Sequence, residues 1–327
     1  FALNIIACLL YAGASRAADF ILPQLLFGVS STAFWSNMLV TSFRLAQGEK
    51  QQRIQGTVTT LQGLGFFAGP MLGGYLSGFS YAYGFYAGAA CAAIGLASSL
   101  WLDRATPIEP YPGLWPAARE SYARLWRVMT RRPVVMVGMA FVFMNCFLLY
   151  VMGGSFYLLY AQQLGLTAFM AAALISGRDA ISALVRLGFG WYVRRIPVVT
   201  LLGAGTMLGA LCLGLMPFIS STLALAAMGI GAGVCLACLP PAVNLLSGAS
   251  AAPEEQSFAM VSMHLSNFAA QTTLAPLMGL ALTRWSYATS YPVISALWVL
   301  LAALAWRVGL RLTTQPARAA LAPSAAE

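Results

Sequence analysis

Residues 134–161 read VVMVGMAFVFMNCFLLYVMGGSFYLLYA, a run without one charged side chain. It is longer than the roughly 20 residues that one helix needs to cross about 30 Å of hydrocarbon, and it lacks the every-second-residue alternation of a barrel strand. The rest of the chain repeats this texture. Of 327 residues, 60% are hydrophobic and 8% charged, and the mean hydropathy is +0.77. Such a chain has too little polar surface to face water all round, so its solvent is largely lipid and a soluble globular fold is excluded. The expected fold class is all-α, a polytopic membrane protein.

Dividing the apolar stretches at polar and Gly/Pro clusters gives ten transmembrane helices, at 1–13, 20–43, 56–78, 81–102, 134–161, 168–192, 199–219, 222–247, 257–283 and 288–312. Phe1 already lies inside an apolar run, with no initiator methionine, basic n-region or cleavage site before it, which reads as a truncated chain. The one long connection, 103–133, carries Pro107, Pro110, Pro112 and Pro116 and then a basic amphipathic stretch from Arg119 to Arg132. It separates a bundle at 1–102 from a six-helix bundle at 134–312, and a tail at 313–327 follows.

A net charge of +9 in a soluble protein would suggest nucleic acid; here the placement of the charges sets orientation instead. Alternate loops collect Arg44, Lys50, Arg53, Arg104, Arg119, Arg124, Arg127, Arg131, Arg132, Arg194, Arg195, Arg307, Arg311 and Arg318 on one side, against Arg16 and Arg284 on the other. Short cytoplasmic loops retain basic residues, so 103–133 and the C-terminus are expected in the cytoplasm. The loop 248–256 departs from the pattern with only Glu254 and Glu255, but acidic residues weigh little in orientation. The six cysteines all lie in apolar runs, where a free thiol acts as a small hydrophobe, and the CxxC of Cys235 and Cys238 has no further ligand near it in sequence. His264 is the only histidine, so multi-histidine metal sites are excluded. A hydrolase would have to pair it with Ser262, two residues away on a different helix face. No cofactor and no metal are expected, and no GxxxxGK[ST] loop for ATP occurs.

The third span contains GTVTTLQGLGFFAGPMLGG, which places Gly56, Gly65, Gly69, Pro70, Gly73 and Gly74 at fixed spacing. Gly65, Gly69 and Gly73 recur every four residues and predict a smooth face for close helix packing, while Pro70 frees one carbonyl and bends the helix. The full pattern resembles motif C in the fifth helix of the drug:proton antiporters of the major facilitator superfamily. On that resemblance the ten spans are helices three to twelve of a twelve-helix fold of two pseudo-symmetric bundles, and the first two helices are missing. Ala275-Pro276-Leu277-Met278-Gly279 is a weaker echo of Gly69-Pro70-Met71-Leu72-Gly73, as expected of a fold built from parallel repeats. The chain departs from the family at two places. Gln24 stands four residues before Gly28, where the helix-four motif has an arginine, and residues 190–197 lack the Asp and second Gly of Gly-x-x-x-Asp-Arg-x-Gly.

Ionisable groups at mid-span usually face a cavity and carry function. Asp179 and Arg186, with Ser182 between them, form one stripe of the sixth span, and Asp179 is the only carboxylate well inside any span. Arg178 stands about 100° round the helix from Asp179, so the two are not expected to face each other directly. Two readings stay open for this group: a structural ion pair, or the transport cavity with Asp179 as the proton carrier. His264, Asn267 and Gln271 share a face of the ninth span, where His264 either makes an interhelical hydrogen bond or carries protons. Phe34, Asn37 and Thr41 of the second span, with Phe66, Asn145 and Tyr150, complete the candidate cavity lining.

The resemblance implies a secondary transporter that exports small amphipathic or drug-like molecules with protons, by alternating access, as a monomer in an inner or plasma membrane. Its partners would be the small-molecule substrate, protons and the lipid bilayer. The alternatives are uptake of a metabolite or organic anion drawn to Arg178 and Arg186, and a non-transporting membrane sensor or anchor.

Overall fold

The computed structural model describes residues 1–44, 49–102, 114–251 and 255–321. They form fourteen α-helices and two short 3-10 helices, Ala17–Phe20 and Met216–Phe218, and no strand occurs among them. In chain order these are α1 (Ala2–Gly13), α2 (Ile21–Arg44), α3 (Glu49–Ser77), α4 (Tyr81–Leu102), α5 (Leu114–Arg131), α6 (Pro133–Gly153) and α7 (Ser155–Gln163). They continue with α8 (Ala168–Leu187), α9 (Phe189–Arg195), α10 (Val198–Leu215), α11 (Thr222–Ala237), α12 (Leu239–Ser250), α13 (Gln256–Arg284) and α14 (Tyr287–Leu321).

Each apolar span of the sequence coincides with one helix or with a helix pair joined by a break. Three breaks fall inside spans. Between α6 and α7 stands Gly154, where a Cβ would lie 2.5 Å from the Tyr150 carbonyl oxygen, so no larger residue passes. Gly188 separates α8 from α9, and Cys238, just before Leu239-Pro240-Pro241, separates α11 from α12. Pro70 and Pro276, by contrast, lie inside unbroken α3 and α13.

Among the described residues six helical stretches are long and apolar enough to cross a membrane: Tyr81–Trp101, Pro133–Gln163, Ala168–Leu187, Val198–Phe218, Thr222–Gly248 and Tyr287–Thr313. α1 is apolar but shorter. α2, α3 and α13 are not among the six.

α6 to α14 share one core in which Phe141, Leu148, Leu202, Leu213, Leu239 and Tyr291 are fully buried. Lipid tails are as apolar as leucine, so these helices associate through close packing and interhelical hydrogen bonds. On the α10–α14 seam, Gly214 leaves room for Ser295, whose hydroxyl donates to the Ala210 carbonyl at 2.6 Å. Trp298 Nε1 donates to the Met144 carbonyl of α6 at 3.1 Å. Tyr160 of α7 donates to the Met216 and Ile219 carbonyls at 3.1 and 3.2 Å, closing the turn after α10.

α1 packs on α2 and α4, and α3 joins these helices to the larger group chiefly through α8. In the turn between α1 and α2, Asp19 accepts from the backbone N–H groups of Arg16 and Ser15 at 2.8 and 3.1 Å. Those two donors hold its carboxyl below the usual carboxylate range. Gln24, at the position where the antiporter pattern has arginine, accepts a hydrogen bond from Tyr11 of α1.

Candidate functional site

α8 is the element around which the charged candidates gather. It packs on α3 along one face and on α11 along another. On the α3 side a Cβ at Gly63 would stand 2.8 Å from the Ala183 Cβ, and one at Gly74 would stand 2.7 Å from the Ala172 Cβ. Gly63 and Gly74 are eleven residues apart, as are Ala172 and Ala183, and eleven residues are just over three whole turns, so each pair lies on one face of its helix. A Cβ at Gly65, Gly69 or Gly73 would meet nothing within 4 Å, since their stripe turns away from α8. The close approach on α3 is thus made by Gly74 and by Gly63, which lies outside the motif. Pro70 is half-buried, and Gly56 falls outside the residues whose surroundings are described.

Arg178 and Arg186 are both buried, at 6% and 8% exposure; Arg178 lies on the α11 side, while Arg186 reaches both seams, its Nη1 standing 3.5 Å from a Cβ at Gly63 of α3. Arg178 Nε and Nη2 donate to Asp179 Oδ1 at 2.9 and 2.7 Å. The 100° offset of adjacent residues suggested that this pair would not meet; the flexible arginine stem folds back along the helix and closes the gap. The arginine sits against Gly233 of α11, where a Cβ would fall 2.6 Å from the Arg178 carbonyl oxygen. Its Nη1 is buried and makes no hydrogen bond among the described residues.

Arg186 has a different task. Its Nε donates to the Ala237 carbonyl at 3.0 Å, at the last residue of α11. In an unbroken helix that carbonyl would accept from the N–H four residues on, but residue 241 is proline and has none. A guanidinium at a helix C-terminus also meets the negative end of the helix dipole. Asp179, seven residues after Ala172 and four before Ala183, shares the face of α8 turned toward α3.

A second polar group lies between α13 and α6. Gln271 Nε2 donates to Asn267 Oδ1 at 3.2 Å and to Cys146 Sγ at 3.8 Å, and Cys146 donates to the Asn267 carbonyl at 3.6 Å. Beside them a small crevice, with about 10 Å³ of free space or room for roughly one water molecule, is lined by Phe147, Tyr150, Val151, Phe156, Ala270, Gln271 and Leu274. Gln271 is its one hydrogen-bonding amide among apolar and aromatic walls. Asn145 is buried with Oδ1 unbonded, and His264 is half-buried with Nε2 unbonded.

Phe34 on α2 and Phe66 on α3 are exposed, and Phe34 makes edge contacts with Phe1 and Trp35 at 5.4 and 5.3 Å. Asn37 and Thr41 lie on α2, with side chains outside those described. The structure therefore brings the candidates together as two groups on different seams: Arg178, Asp179 and Arg186 beside α3 and α11, and Asn267 and Gln271 beside α6. Cys146, Gly63, Gly233 and the Ala237 carbonyl were not among the sequence candidates.

A family model described as Major Facilitator Superfamily matches residues 1–231, from α1 into α11. The chain belongs to the major facilitator superfamily. It is a multi-pass membrane protein of a transporter family whose members act on small-molecule substrates. No curated protein matches the chain. In this superfamily member, the charged group on α8 and the Asn267–Gln271 group beside α6 place polar chemistry between the packed helices.

Proposed function

We propose that this superfamily member exports small amphipathic or drug-like molecules in exchange for protons, by alternating access. The observation that carries the reading is the Arg178–Asp179 ion pair buried inside an apolar helix, because ionisable groups within membrane spans mark proton relays and substrate paths in transporters. The motif at Gly56, Gly65, Gly69, Pro70, Gly73 and Gly74 supports the antiporter class. The ten spans cross the membrane as helices three to twelve of a twelve-helix fold, with both ends of the chain on the cytoplasmic side. The segments 1–102 and 134–312 rock about the connection at 103–133, and the protein acts as a monomer.

Asp179 carries the proton. When it is ionised, its pairing with Arg178 satisfies both charges in a buried site. Protonation takes that partner from a guanidinium only 6% exposed, and an uncompensated buried charge costs about 3–5 kcal/mol. The protonated protein then favours another packing of α8, which is how proton binding drives the switch. Purified protein in proteoliposomes should export a fluorescent amphipathic cation when a pH gradient is imposed. Asp179→Asn should keep gradient-independent exchange of that dye and lose the response to pH; unchanged pH dependence would leave the Arg178–Asp179 pair a purely structural one.

Organic-anion uptake is the second reading, favoured by the unbonded Nη1 of Arg178. Faster transport of aromatic carboxylates than of amphipathic cations by the same proteoliposomes selects it.

A further inference from the structure

α5 takes no part in either polar group. Its sequence, LWPAARESYARLWRVMTR, buries Leu125 and Val128 where the helix packs on α6 and α13. Tyr122 and Trp126, one turn apart, remain 70% and 67% exposed on one flank. Arg124, Arg127 and Arg131 are exposed on the other. Two of the neighbouring charges are already matched. Arg124 pairs with Glu120 in the same helix, and Arg132, just past its end, pairs with Glu255 at 3.1 Å. Arg127 and Arg131, also one turn apart, make no ion pair among the described residues.

The position of the helix decides what could meet these residues. α6 begins at Pro133, one residue after Arg132, and Pro133–Gln163 is long and apolar enough to span a bilayer. The C-terminal end of α5 is thereby tied to the mouth of a span, at headgroup depth. Tyrosine and tryptophan concentrate at that depth because one end of each ring is apolar and the other polar. Basic residues beside a span are drawn to anionic lipid. A helix with an apolar contact face, an aromatic flank and unpaired arginines lies along such an interface rather than in free water.

We propose that α5 is an interfacial helix that binds anionic phospholipid, with Arg127 and Arg131 on the headgroup phosphates and Tyr122 and Trp126 seated in the headgroup layer. The inference requires α6 to span the bilayer but is independent of the substrate and the coupling ion. At about 1 kcal/mol per basic residue near the surface, the two arginines together give about a 30-fold preference for anionic over zwitterionic lipid.

The test uses the whole chain in nanodiscs containing a small fraction of brominated phosphatidylglycerol or brominated phosphatidylcholine. The fluorescence difference between wild type and Trp126→Phe isolates residue 126. Brominated phosphatidylglycerol should quench that component at much lower mole fraction, and the preference should vanish in Arg127→Gln/Arg131→Gln and fade in high salt. Both substitutions are at exposed positions, and equal melting of wild type and variant in phosphatidylcholine checks that the fold is kept. Equal quenching by the two lipids, or a preference that survives the double substitution, overturns the arginine assignment. Absence of any quenching of Trp126 overturns the interfacial position.

Discussion

Against α3, α8 presents Ala172 and Ala183 to Gly74 and Gly63; against α11 it presents Arg178 and Arg186 to Gly233 and the Ala237 carbonyl. The first seam is made by leaving side chains out. Its closest glycine–alanine contacts are dispersion, about 0.1–0.2 kcal/mol per atom pair and without direction, so away from Arg186, whose Nη1 stands beside Gly63, the helices can slide with little loss. The second seam is directional, since a hydrogen bond from a charged donor is worth about 1.5–3 kcal/mol and fails when the geometry shifts. Under the proposed cycle, α8 and α11 therefore move as one body and the smooth seam with α3 takes up the motion.

The largest effect should come from filling the smooth seam. Gly74→Leu and Gly63→Leu drive a side chain into Ala172 and Ala183, whose Cβ atoms already lie within 2.8 Å of an added Cβ. Overpacking of this kind costs about 3 kcal/mol, and thermal unfolding in detergent should show both variants severely destabilised. Gly69→Leu meets open space and should melt like wild type. If that variant folds but does not transport, the Gly65, Gly69 and Gly73 stripe closes against a neighbour in another state of the cycle. If Gly74→Leu melts like wild type, the seam is looser than described and the contrast with α11 fails.

A smaller effect separates the directional seam into its parts. Arg186→Gln removes the donor to the Ala237 carbonyl and should cost about 2 kcal/mol. Pro241→Ala restores the N–H that this carbonyl would use in an unbroken helix. In the Pro241→Ala background the cost of Arg186→Gln should fall by at least about 1 kcal/mol, a coupling that a double-mutant cycle of unfolding measures. Strict additivity would mean that Arg186 stabilises the protein through contacts other than the α11 break.

The helical class, the helix at each apolar span and the break before Pro240-Pro241 were legible in the sequence because each follows from local chemistry: apolar length, or a missing N–H. The polar stripes of α8 and α13 were legible from spacing alone. What escaped was direction. A four-residue glycine repeat predicts a smooth face without saying which helix meets it, and α3 turns its eleven-residue pair Gly63 and Gly74 to α8 instead. The Arg178–Asp179 pair escaped because Cα angles do not account for the reach of a flexible arginine. The Ala237 carbonyl could have been found by asking which acceptor Pro241 strands. The donor from α8 could not, because that contact spans 51 residues of sequence.

The smallest expected effect tests whether the α3 seam is as free of directional bonds as its glycines suggest. Ser176 stands four residues after Ala172, on the same side of α8, is 1% exposed, and its hydroxyl makes no hydrogen bond among the described residues. A buried hydroxyl without a partner gains nothing from its polarity, and leaving such a group unsatisfied costs about 1–3 kcal/mol. Ser176→Ala removes only the oxygen and leaves a gap smaller than a methyl group, so the packing loss is slight. The variant should therefore melt at the same temperature as wild type or a few degrees higher. A clear fall in melting temperature would show that the hydroxyl is bonded in the folded protein. The α3 seam would then contain a directional contact of its own, and the division between a sliding and a fixed face of α8 would not hold.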